Sequence, residues 1–137
     1  MHHPIYSTKR SRDNKQLRND LKPLFDKYRV DLVLQGHDHT YARGMGRIPM
    51  AKDKISGTMY VVSVSGPKMS DVLRADWMER TAGHTQLFHV IDVDGGVLTF
   101  KAFTATGELY DEFELHKTKD AANRLVNKIP SHVEERN

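Results

Sequence analysis

Cysteine is absent from this 137-residue chain. That excludes disulfides and thiolate metal ligands, so any bound transition metal must rely on nitrogen and oxygen donors. No apolar run approaches the roughly 20 residues of a membrane-spanning helix, and no signal-peptide pattern stands at the start. Aromatic residues make up only 8% of the chain, with a single tryptophan, Trp77. They are not interleaved with basic residues as in single-strand binders, and no DNA-binding motif occurs. Neither a membrane nor a nucleic acid is therefore an expected partner.

What is present describes a globular domain. Hydrophobic residues supply 38% and charged residues 28%, in a chain long enough to bury a core. The net charge of +3 is unevenly spread, with eight Lys/Arg in residues 1–30 against Asp13, Asp20 and Asp26. A solvated helix face accounts for such an excess. Beside a phosphate site it would also attract anions.

Periodicity gives the elements. Leu17, Leu21, Leu24, Phe25 and Tyr28 form one stripe of a helix over 14–28, with Asp13 or Asn14 to cap it and Pro23 to kink it. The run Val30-Asp31-Leu32-Val33-Leu34-Gln35 reads as a short buried strand. Residues 42–56, with Gly44, Gly46, Pro49 and several charges, read as loop, and 58–65 as strand. Residues 68–84 are open between loop and short helix. Segments 85–93 and 97–104 flank Asp94-Gly95-Gly96, a hairpin signal. The strand 108–115 alternates Leu109, Phe113 and Leu115 against Tyr110, Glu112 and Glu114. Together these make an antiparallel meander. A short helix over 118–128, capped by Thr118, and a loose tail from Pro130 complete the reading, in the α/β (α+β) class.

The chemistry concentrates in two motifs. Gly36-His37-Asp38-His39-Thr40-Tyr41 follows directly on the apolar strand. In extended chain alternate side chains point the same way, so His37 and His39 share a face and Asp38 takes the other. The second motif is Met1-His2-His3-Pro4-Ile5-Tyr6-Ser7. His89 shares a strand face with Leu87, Ile91 and Val93 and reads as a satisfied core histidine. His84, His116 and His132 read as loop or surface residues.

His-x-Pro-x-Tyr followed by Gly-His-x-His-x-Tyr resembles the last two metal-binding motifs of the calcineurin-like metallophosphoesterases, with the purple acid phosphatase branch closest. Gly57–Pro67 and Thr104–Asp111 are also similar to that branch. The upstream motifs Asp-x-His, Gly-Asp-x-x-Asp and Gly-Asn-His are absent, so the chain resembles the C-terminal half of such a domain over 1–117, with 118–137 appended. The resemblance implies part of an αββα sandwich and two-metal hydrolysis of a phosphate monoester or diester, a metal-bound hydroxide attacking phosphorus. His2 and His37 would bind one metal of the Fe, Zn or Mn class and His39 the other. A bridging Asp would come from the missing half. His3 would face substrate or protonate the leaving group, and Arg10 or Arg12 would contact phosphate. Tyr6 and Tyr41 would support the ligands. Parents of this branch are often exported.

Three expectations follow for the chain alone. His2, near the terminus, is expected to fray, so at most one metal binds, and weakly. Efficient phosphatase activity is not expected. Sheet edges left open by the missing half are expected to be covered by a homo-oligomer or by displacement of residues 1–30. The rival readings are a non-catalytic folded fragment and an autonomous mono-zinc site on His2, His37 and His39.

Overall fold

A computed structural model describes residues 1–9, 11–48 and 51–136, with residues 47–48 and 51–56 described by backbone alone. The elements run α1 (Lys15–Lys27), β1 (Leu32–Gln35), β2 (Tyr41–Ile48), β3 (Ala51–Val62), β4 (Arg80–Ala82), β5 (Leu87–Asp94), β6 (Val97–Thr104), β7 (Leu109–His116) and β8 (Arg124–Asn127). The strands make two four-stranded sheets, ordered β1-β3-β2-β4 and β5-β6-β7-β8. The fold is mixed α+β and mostly strand. Among the described residues α1 is the one helix, so no second helical layer is seen there. None of their helices is long and apolar enough to cross a membrane.

The predicted helix forms, but its buried line is narrower than the five-residue stripe. Leu17, Leu21 and Phe25, at steps of four, pack with Val33, Tyr60 and Ile5. Leu24 and Tyr28, a step round the helix, remain 48% and 70% exposed. Neither expected cap operates. Asn14 donates to the Pro4 carbonyl at 2.6 Å, and Asp13 pairs with Arg18 at 2.7 Å. The helix runs through Pro23 without interruption.

The expected loop over 42–56 is instead the antiparallel hairpin β2–β3, with Ala42 opposite Val62 and Met45 opposite Met59; Pro49 lies outside the described residues. Gly44 belongs in this strand for a steric reason. A Cβ there would stand 1.7 Å from the carbonyl oxygen of Trp77, which crosses directly over it. β1 pairs parallel with β3, Leu32 opposite Met59. The ambiguous stretch 68–84 contributes only β4, paired to β2.

The meander appears as expected. β5 and β6 join through Gly95-Gly96, and β6 pairs antiparallel with β7. Its alternation is corrected at one place. The β6–β7 register slips between Ala102 and Phe103, leaving Tyr110 as the extra residue of a bulge. Both Tyr110 and its neighbour Asp111 are consequently buried.

The C-terminal segment departs furthest from expectation. There is no helix over 118–128; Arg124–Asn127 forms β8 against β7. The hydroxyl of Thr118, the expected cap, donates to the carbonyls of Ala121 and Ala122. Nor is the tail loose. Val133 joins the main core, and Arg136 bridges to Ala82. The open side of β7 and the unfilled end of the core outweigh weak local helix preference.

The core lies between the sheets and includes Tyr41, Met59, Val61, Leu87, Phe100, Phe113 and Leu115. A charged group sits within it. Arg43 and Asp111 are both wholly buried and joined by two hydrogen bonds, Nε to Oδ2 at 2.7 Å and Nη2 to Oδ1 at 3.0 Å. Tyr41 donates to the same carboxylate at 2.7 Å. His89 lies against Phe100 and Tyr41 and bonds to Ser63 Oγ at 3.0 Å. It is the satisfied core histidine expected, and burial pushes its pKa down to about 4.

Candidate metal centre

The histidine loop emerges where β1 ends, and the chain's first residues lie along the open edge of that strand. The Met1 amine donates to the Leu34 carbonyl at 2.8 Å, and the Gly36 amide donates to the His2 carbonyl at 3.0 Å. His2 is thus tethered on both sides of its own peptide rather than frayed. These bonds carry it to the mouth of the Gly36 loop.

There His2 Nε2 and His37 Nδ1, 35 residues apart in sequence, stand 2.8 Å from each other. The His3 ring lies 4.6 Å from that of His37 and 5.1 Å from that of His2. The expectation that His3 turns away required extended chain. The backbone bends at His3, so all three rings cluster. Desolvation first, then the positive charges of Arg12, His3 and His2, lower the His37 pKa. A lowered pKa favours neutral imidazole, the form that binds metal.

His39 stands apart from this group. Its Nδ1 meets the Lys68 carbonyl at 3.0 Å. His37 and His39 do not alternate as in a strand, because neither residue is extended. Their φ angles are 73° and 55°, in the left-handed region. Side chains rarely adopt that conformation, and it costs about 1–3 kcal/mol unless its surroundings impose it.

Asp38 imposes it. Its buried carboxylate accepts from Ser7 Oγ at 2.6 Å, the Thr8 amide at 2.8 Å and Thr8 Oγ1 at 3.2 Å, and pairs with Arg12. Thr40 donates to Thr8 Oγ1 at 2.6 Å. One inward carboxylate thereby joins the two histidine motifs and turns the flanking histidines outward. Sequence reading placed Asp38 away from the histidines and saw no further role for it. The signal was available in the Ser7-Thr8 pair, two hydroxyls at the end of the Met1–Ser7 motif.

The other sequence candidates fall elsewhere. Tyr41 points into the core between the sheets, not toward the histidines, and Tyr6 packs on Tyr60 and Trp77. Arg12 is committed to Asp38, and Arg10 lies outside the described residues. His84 is exposed and bonds to Asp71, while His116 bonds to Glu114.

The donors can be tested against a metal. Two ligand nitrogens on a tetrahedral ion with bonds of about 2.05 Å stand about 3.3 Å apart. The His2–His37 pair is half an ångström tighter, the spacing of a hydrogen bond between the rings, so both rings must turn and part before one ion takes both nitrogens. In His39 the bond at Nδ1 leaves Nε2 as a free donor, the usual arrangement behind a metal-binding imidazole. Among the described residues, however, no three His, Asp or Glu side chains converge to hold a metal. The described residues thus offer a histidine pair and a separate imidazole, and by themselves complete no metal site. No family model matches the chain, and no curated protein matches it.

Proposed function

We propose that this chain forms the C-terminal part of a two-metal phosphoesterase domain, most similar to the purple acid phosphatase branch, acting on phosphate monoesters or diesters. The supporting observation is the meeting of His2 and His37 at 2.8 Å, the two residues that the motif resemblance assigns to one ion. Each part of the loop has a task in this reading. His2 and His37 offer nitrogens to one cation and His39 Nε2 to the second. Asp38 and Arg12 hold the loop in its strained shape. His3, exposed beside His37, is positioned to pass a proton to a leaving oxygen. Bound metal ions would stabilise phosphoryl charge and lower the pKa of coordinated water. Oxygen ligands would come from outside the described residues, so the chain alone binds at most one metal weakly and turns over little substrate. Parents of this kind are often exported.

The test is metal content per chain by elemental analysis, beside a His37→Ala/His39→Ala variant. It is paired with hydrolysis of p-nitrophenyl phosphate after adding a polypeptide that carries the upstream Asp and Asn motifs. Activity that needs both polypeptides and is lost in the variant supports the reading. Metal content equal to that of the variant, with no activity on complementation, sinks it and leaves a non-catalytic folded unit.

A further inference from the structure

Next to the histidine loop lies a cleft of about 400 Å³ with a different character. Tyr6 and Trp77 form one side, their ring centroids 5.4 Å apart. Arg18 holds its guanidinium 5.6 Å above the Tyr6 ring, and Arg12 and Ser7 form the wall nearest Asp38. The size lies within the usual range for small-molecule sites, and two aromatic faces with a few polar groups are the usual lining.

Two features say what the cleft takes. Its charges balance: Arg12 and Arg18 are offset by Asp13 and Asp76, and Arg18 is already paired with Asp13 at 2.7 Å. A balanced cleft has little pull on a phosphoryl group and suits an uncharged ring, which aromatic faces and guanidinium planes stack against. It also abuts the histidine loop, since Ser7 and Arg12, which line it, both bind the buried Asp38.

We propose that this cleft binds the planar aromatic group of a phosphate ester whose phosphoryl end lies at the histidines, making Tyr6 and Trp77 the residues that select the leaving group. The proposal rests on the phosphoesterase reading for the phosphoryl end and on the cleft alone for the ring. The probe pair is phenyl phosphate and cyclohexyl phosphate, alike in charge and different in planarity. Trp77, as the sole tryptophan, reports directly by fluorescence. Stacking of one ring predicts about fivefold or greater preference for phenyl phosphate, with quenching of Trp77. By calorimetry Trp77→Leu should abolish that preference and Trp77→Phe should keep it. Adenosine monophosphate, if tighter than phenyl phosphate, would identify a nucleobase as the ring; if weaker, a single ring. Equal affinity for the planar and saturated esters, or emission that ligand does not change, overturns the proposal. A ring preference in a chain that shows no activity on complementation would sink the hydrolase reading and leave the ring site standing.

Discussion

Replacing Asp111 by Leu should strongly destabilise this chain. Arg43 has no exposure, and its guanidinium is held by both oxygens of Asp111. Loss of one partner from such a pair costs about 3–5 kcal/mol, because the remaining charge stays buried. The Tyr41 hydroxyl would also lose its acceptor, a further 1–3 kcal/mol or so where no water can replace it. Glu79, 3.1 Å from Arg43 Nη1 and 35% exposed, recovers part of this by drawing the guanidinium toward solvent. A net loss of about 4 kcal/mol is expected, a large share of the roughly 5–15 kcal/mol of a small domain. The double variant Arg43→Met/Asp111→Leu removes both charges together and should cost no more than about 2 kcal/mol. Urea unfolding followed by Trp77 fluorescence and far-ultraviolet circular dichroism measures all three proteins. If the double variant is as unstable as Asp111→Leu, or if the single change costs under about 1 kcal/mol, the buried-charge argument is wrong.

Other consequences can be checked on the same apparatus. The folded pKa of His89, about 4, lies below its ordinary value near 6.5, so the unfolded chain takes up a proton that the folded one refuses. Stability should be full above pH 6.5 and fall as pH drops toward 4, by at most about 3 kcal/mol. His89→Gln should flatten that slope, and an unchanged slope would assign it to other groups. Gly44→Ala should displace the Trp77 segment, shift its emission to the red and cost about 1–3 kcal/mol, since the added carbon meets backbone rather than a yielding side chain. Truncation after Ile129 should cost at least about 2 kcal/mol by exposing the Val133 site and removing the Val133 carbonyl from Arg80; a loose tail would cost nothing. Asp38→Ala should speed amide exchange at Thr8 and at residues 37–40, and unaltered protection there would mean that other contacts hold the loop.

Some of this protein could be read from its residues because the relevant forces act locally. Helix α1, strand β1, the Gly95-Gly96 turn and the strands of the meander follow from patterns of neighbours, and these elements appear where expected. Two misreadings have a common origin. Residues 42–48 look like loop because Gly44, Gly46 and two arginines suit solvent. They are strand because Trp77 requires a residue with no side chain at 44, and Asp111 neutralises Arg43 from 68 positions away. Residues 118–128 look weakly helical, yet Arg124–Asn127 within them form a strand because β7 offers an unpaired edge. Neither partner is visible within a local window.

The candidate centre divides along the same line. The two histidine motifs, their order and their spacing belong to the sequence, which named His2, His3, His37 and His39 without a fold. Their geometry does not. Extended chain would have put His37 and His39 on one face. The tertiary structure instead buries Asp38 against Ser7, Thr8 and Arg12, turns both histidines through positive φ, and brings His37 to His2 while His39 faces the Lys68 carbonyl. A short motif specifies which donor atoms exist, because that is a matter of residue type. Which of them meet depends on the burial of one carboxylate and the edge of one strand, and both are settled only when segments 30 residues apart pack together.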